Sequence, residues 1–295
     1  VPGSKSLTNR ALLIAALANG KTTLTNSLFS DDSLYFAKAL QTLGFEVQLD
    51  EADHEMTVTG LGGDIPVRKG SLFIGNAGTA ARFLTAFLKL GHGQYIIDGD
   101  ARMRERPIGD LLETLNQLVD KDKPEITDPW QMVPDYSYVC LPVMIMAYGL
   151  YGGKARLRGN ISSQYLSALL MVAPYSQTSV EIEVITDLNS KPYVDMTLGV
   201  MKDFGVEVER EGYRRFIIHP AYFSSPAAYE IESDASAASY FFAAPAICGG
   251  TVKVENIFRN SKQGDVAFLD VLQKMGCTVT ESENSITVYG PSSIV

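Results

Sequence analysis

Cysteine is scarce, with three in 295 residues, and Cys140, Cys248 and Cys277 lie far apart. That spacing excludes a disulfide framework and a Cys-x-x-Cys pair, and it suits a reducing compartment. The three histidines, His54, His92 and His219, are equally scattered. A zinc site or a Ser-His-Asp triad is not expected from so few ligands and bases. No apolar run reaches the roughly 18 residues that a spanning helix needs. Positive charge is in deficit: 25 Lys and Arg against 34 Asp and Glu give a net charge of −9, the wrong sign for a nucleic-acid surface. Neither a P-loop nor a GxGxxG turn opens any helix, so a nucleotide site lacks support. The first residues carry neither a start methionine nor the layout of a secretory signal.

What is present is repetition. Residues 20–47 and 250–279 share one pattern: a β-alternating run ending at Asn26 or Asn256, an acidic helix start at Asp32 or Asp265, then an amphipathic helix. These helices stop at Leu43-Gly44 and Met275-Gly276, where glycine supplies a left-handed cap. Residues 191–218 repeat the helix, the glycine stop at Gly205 and two closing strands, and 95–118 form a weaker copy. Interleaved with these are four nearly all-apolar helices, at 6–19, 79–90, 163–173 and 235–247. Helices apolar all round are buried, so the sequence predicts α/β modules packed around shared internal helices. The polar stretch at 119–139, with Trp130, reads as a surface insertion, and 219–229 as a linker.

The four apolar helices begin on "PGSKS", "GNAGT", "NISSQ" and "ESDAS". A helix start exposes unpaired N–H groups and the positive end of the dipole, and small residues let an anion approach. Ordinary capping accounts for any one start taken alone, and for "ESDAS" in particular, whose acids repel anions. Cations flank the other starts: Lys5 and Arg10 at the first, Arg82 one turn into the second. In "DGDARMRERPIGDLL", Arg102, Arg104 and Arg106 fall within five residues. Alternation along an extended segment would aim the three to one side, and arginine grips phosphate or carboxylate in a bidentate manner. The expectation is a pocket for a small polyanion.

"PGSKSLTNRALL", "GNAGTAARFL", "DGDARMRERPI", "GNISSQYLSALLMVAP", "SKPYVDMTLGVMKDFGVEV", "ESDASAASYFFAA" and "NSKQGDVAFLDVLQKMG" together resemble the 5-enolpyruvylshikimate-3-phosphate synthases. They occur in that family's order over nearly the whole chain. The resemblance implies an inside-out α/β barrel of repeated βαβαββ units, with one complete domain (residues 5–222) and part of a second (1–4 and 223–295). It implies transfer of enolpyruvyl from phosphoenolpyruvate to the 5-hydroxyl of shikimate 3-phosphate, without metal or organic cofactor, in a cytoplasmic monomer.

By that resemblance Lys5, Ser6, Arg10, Ser162, Ser163, Gln164, Ser190 and Tyr193 hold shikimate 3-phosphate. Lys5, Asn76, Gly78, Thr79, Arg102 and Gln164 hold phosphoenolpyruvate, with Gly78 leaving room for it, and Lys5 is the proton-transfer candidate. Arg82 and Arg106 match as supports. The family's "KETDR" and "NDHRMAM" patterns, which carry its acidic pair, do not occur here. The sequence therefore resembles a fragment, and the isolated chain is expected to lack turnover. Two alternatives stand beside this reading. One is the sister UDP-N-acetylglucosamine enolpyruvyl transferase, which often uses a cysteine in a glycine-rich loop, where none of the three lies. The other is a non-catalytic anion-binding fragment.

Overall fold

The computed structural model describes residues 1–120 and 139–291, so most of the 119–139 stretch, Trp130 included, lies outside the described residues. The chain opens with helix α1 (Lys5–Leu17), strand β1 (Asn19–Thr25), α2 (Asp31–Thr42), β2 (Glu46–Asp50) and β3 (Glu55–Leu61). Then follow β4 (Lys69–Phe73), α3 (Gly78–Leu88), β5 (His92–Asp98), α4 (Gly109–Asn116) and β6 (Val143–Tyr148). A third run holds β7 (Gly153–Leu157), α5 (Ser163–Val172), β8 (Val180–Val184), α6 (Lys191–Asp203), β9 (Glu209–Glu211) and β10 (Arg215–Ile218). After β11 (Ala228–Glu230) come α7 (Ala235–Cys248), β12 (Thr251–Glu255), α8 (Phe268–Lys274), β13 (Thr278–Ser282) and β14 (Ser285–Tyr289).

The repetition read in the sequence is a repetition of topology. One sheet has the order β11-β1-β3-β2 and another β7-β8-β10-β9. In each, the first pair is parallel and the other two are antiparallel. The sheet β4-β5-β6 keeps the parallel pair and one antiparallel pair, and β12-β14-β13 keeps the two antiparallel pairs. The amphipathic helices end where expected, at Gly44, Gly205 and Gly276, all with positive φ.

Helices α1, α3 and α5 lie inside the sheets, because they have no polar face to offer water. From Leu7 to Ala18 every residue of α1 and its C-cap is buried, and α3 and α5 are nearly as enclosed. Each fully buried Leu or Ile in them contributes about 1.5–3 kcal/mol of transfer free energy. This is an inside-out α/β arrangement. A single apolar core runs from Leu7 to Ile231, and a second, smaller one begins at Ala235.

The fourth apolar helix departs from expectation. On α7 the buried residues Ala235, Ala238, Phe242 and Ala246 make one stripe at helical spacing, while Tyr240 is 81% exposed and Phe241 and Ile247 also face out. Among the described residues α7 packs against β12, β14 and α8, and these leave its other face open, so burial all round is not achieved.

The two cores meet at a narrow crossover. Gly3 and Ser233 form an isolated antiparallel bridge, and the Ser4 amide donates to the Glu232 carbonyl at 2.9 Å. The equivalent asparagines of the two repeats, Asn26 and Asn256, take the same left-handed conformation, and both donate their side-chain amides to the Ile231 carbonyl.

Candidate active site

One buried side chain reports how the helices run. The Arg10 guanidinium, on the second turn of α1, donates from Nε to Thr197 Oγ1 at 2.7 Å and from Nη1 to the Ser6 carbonyl at 2.9 Å. Its Nη2 reaches Ser167 Oγ at 3.4 Å and the Tyr193 carbonyl at 3.1 Å, and its Cζ lies 5.4 Å from the centre of the Phe83 ring. Phe83, Ser167 and Thr197 occupy the second turns of α3, α5 and α6. The second turns of all four helices therefore meet around this one buried side chain. Their N-termini share one pole, and four positive dipole ends converge there.

The pole's furniture is polar and small. Ser162 caps α5, its Oγ accepting from the Gln164 amide at 3.2 Å. Gln164 Nε2 reaches across to Thr79 Oγ1, also at 3.2 Å, tying the starts of α5 and α3 together. Ser163 follows the cap, largely buried, and its hydroxyl has no partner among the described residues. Ser190 caps α6 in the left-handed conformation (φ 55°), and its carbonyl accepts from the Tyr193 amide. Asn76 stands exposed on the turn ahead of α3. The structure thus brings Thr79, Ser162 and Gln164 together at one point, and Ser6, Arg10 and Tyr193 at another.

Lys5, the first residue of α1, is half exposed, and its ammonium lies 4.0 Å from Asp32. Its backbone amide donates to Asp234, which also caps α7 by accepting from the Ala237 amide. "ESDAS" is a cap, as the sequence suggests, but one that serves two helices from opposite sides of the crossover. Tyr193 faces the same junction: burial, then the nearby Asp265, raise its pKa, with Asp234 adding to the effect and Arg10 opposing it.

The arginine cluster corrects the sequence reading. Met103–Glu105 form a 3-10 turn, so the three arginines do not alternate along an extended segment and do not project together. Arg104 turns to Asp98 and holds it through two bonds of 2.8 and 2.6 Å, keeping that carboxyl below its usual range. Arg102 and Arg106, four residues apart, have no carboxylate partner among the described residues. Arg82 sits underneath, 4% exposed, donating to the carbonyls of Gly78 and Pro107 at 3.1 and 2.9 Å. It thereby joins the start of α3 to the arginine turn, and burial lowers its pKa.

Gly78 is more crowded than the sequence implies. A Cβ there would lie 2.6 Å from Arg106 Nη1 and 2.9 Å from its Cζ. The bare turn is covered by the Arg106 guanidinium, which the sequence reading ranked only as a support. Ser167 and Thr197 were not singled out at all. Their signal is a hydroxyl on the second turn of an apolar helix, a polar residue that needs a buried partner. Among the described residues no group of three or more His, Cys, Asp or Glu is placed to hold a metal ion, and no helix is long and apolar enough to cross a membrane.

Comparison with known proteins identifies the family. The family model described as EPSP synthase (3-phosphoshikimate 1-carboxyvinyltransferase) matches residues 1–294. A 3-phosphoshikimate 1-carboxyvinyltransferase of Trichormus variabilis is 47% identical over 294 residues, spanning 100% of this chain and 67% of its own length. The chloroplastic enzyme of that name from Solanum lycopersicum is 50% identical over 302 residues, covering 99% of this chain and 56% of its own. In fold, an EPSP synthase structure from Acinetobacter baumannii superposes with a TM-score of 0.80 at 23% identity, over 100% of this chain and 64% of that one. The chain thus spans between 56% and 67% of the length of these relatives. On sequence and architecture together, the chain belongs to the EPSP synthase family.

Proposed function

We propose that this chain supplies the shikimate 3-phosphate side of an enolpyruvyl transferase. The protein to which it belongs would join phosphoenolpyruvate to the 5-hydroxyl of shikimate 3-phosphate and release phosphate. The observation that carries the reading is the pole where α1, α3, α5 and α6 all begin, with Arg102 and Arg106 free of carboxylates beside it. Both substrates are anions, and helix starts with unpaired arginines are what two anions need.

In this reading shikimate 3-phosphate lies over α5 and α6, contacted by Ser162, Ser163, Gln164, Ser190 and Tyr193, with Ser6 and the buried charge of Arg10 behind it. Phosphoenolpyruvate lies over α3, against Asn76, Gly78, Thr79 and Arg102, with Lys5 and Gln164 reaching both. During the reaction the 5-hydroxyl gives up its proton to a base as its oxygen bonds the central carbon of phosphoenolpyruvate, while the methylene carbon gains a proton and becomes a methyl group. The tetrahedral adduct then loses one methyl proton as the C–O bond to phosphate breaks, which restores the double bond and releases phosphate. Lys5 is the proton-transfer group that this chain contributes. Residues 5–222 would be the first domain, and 1–4 with 223–295 part of a second, in a cytoplasmic monomer.

Calorimetry of the 295-residue chain against shikimate 3-phosphate and UDP-N-acetylglucosamine tests the assignment. Weak binding of the first alone is expected, together with no phosphate release when phosphoenolpyruvate is added. Binding of the amino sugar instead would transfer the assignment to the sister enzyme. Turnover near that of a full-length relative would place the acid and base among residues treated above as structural.

A further inference from the structure

At the opposite pole, where α1, α3 and α5 end, lies a cleft of about 330 Å³ that the proposed reaction does not use. Loops from three sheets build it: Asp64 follows β3, Leu90 and His92 lead into β5, Tyr175 and Gln177 precede β8, and Tyr222 follows β10. The wall is fixed by packing. Tyr175 donates its hydroxyl to the Leu17 carbonyl at 2.5 Å and accepts from the Phe223 amide at 3.3 Å, which anchors the ring. A Cβ on Gly63 would fall 2.4 Å from that ring, and the φ of +91° there favours glycine. Tyr222 stands edge-on to Tyr175 at 5.6 Å between ring centres and is 76% exposed, leaving an aromatic side open to solvent.

The charge of the cleft is opposite to that of the proposed active site. Its lining contains one carboxylate, Asp64, exposed and with no partner among the described residues, and no lysine or arginine. Three helix C-termini point their negative dipole ends toward it. The nearest lysine in sequence, Lys89, turns away to Asn116. An aromatic wall gives an apolar body a surface to pack against, and the volume falls within the range of small-molecule sites.

We propose that this cleft binds a small organic ammonium ion with an apolar body, its charge at Asp64 and its body against Tyr175 and Tyr222. Phenethylamine is a suitable probe, with 3-phenylpropionate as its anionic counterpart of similar shape. Calorimetry on the 295-residue chain should show saturable binding of the amine and none of the acid. Asp64→Asn should weaken the amine about tenfold, the loss of one charge-assisted contact, and Tyr222→Ala should weaken it several-fold. Both side chains are exposed, so both variants should keep the parent circular dichroism spectrum and Tm. The proposal is overturned if the acid binds as tightly as the amine, if neither variant changes the affinity, or if no heat is seen at millimolar amine. Affinity for shikimate 3-phosphate in the Asp64→Asn variant should stay at the parent value, which keeps this outcome separate from that of the proposed reaction.

Discussion

Replacing Arg10 by methionine sets two large effects against each other. Burial pulls the pKa of this guanidinium down to about 10, so enclosing the charge opposes folding at neutral pH. Opposing this are charge-assisted hydrogen bonds to Thr197, the Ser6 carbonyl and the Tyr193 carbonyl, each worth about 1.5–3 kcal/mol. Removing the guanidinium does not strand its acceptors equally. The Thr197 hydroxyl already donates to the Tyr193 carbonyl at 2.8 Å and lies 2.9 Å from Ser167 Oγ. The loss on that side is therefore partial, while the burial cost of the charge is recovered in full. Methionine also keeps an unbranched stem in the space between the helices. Arg10→Met should therefore cost less unfolding free energy than Arg10→Ala, which adds a cavity worth about 2–4 kcal/mol. Urea unfolding of the 295-residue chain at pH 7, followed by circular dichroism, separates the two. Shikimate 3-phosphate affinity should fall at least tenfold in both. If Arg10→Met unfolds as easily as Arg10→Ala, the hydrogen bonds outweigh the burial cost and the argument fails.

Gly78→Ala should leave stability within about 1 kcal/mol of the parent, because the three nearest atoms that a Cβ would meet belong to the far end of Arg106, which can move aside. Thermal scans with and without Arg106→Ala check this: a loss in the single variant that the second change rescues would show a fixed guanidinium. Ser163→Ala should weaken shikimate 3-phosphate by about 1.5–3 kcal/mol at little cost in Tm, since Ser162 is the cap; a large fall in Tm with unchanged affinity would make Ser163 structural. Lys89 is 1% exposed, and burial lowers its pKa from 10.5 to about 7. Between those values the unfolded chain holds a proton that the folded chain has lost, so this group makes stability rise with pH across that window. Lys89→Met should remove that rise, read as urea midpoints at pH 7 and 9; an unchanged slope would mean that the amine keeps its proton in the fold.

Much of the fold could be read from hydrophobic pattern, because helices without a polar face have nowhere to go but inside. The starts of α1, α3, α5 and α7 fall within one residue of where the small polar residues place them. What could not be read is what depends on neighbours distant in sequence. Arg104 looks no different from Arg102 or Arg106 until Asp98 is placed beside it. Nothing in "GNAGT" announces that a guanidinium from 28 positions later will lie on its glycine. The exposure of α7 is of the same kind, since its residues match the buried helices and only what packs around them differs.

The crossover has a consequence for engineering. Ser4 and Glu232 are hydrogen-bonded neighbours, so the intervening chain leaves and returns at one place, like a loop closed by a clasp. A segment with coincident ends can be spliced into a surface turn of an unrelated host without spreading that turn apart. Its termini would then report strain: a ligand that shifts α1 against β11 would pull directly on the host, which suits the module to the core of a fluorescent sensor.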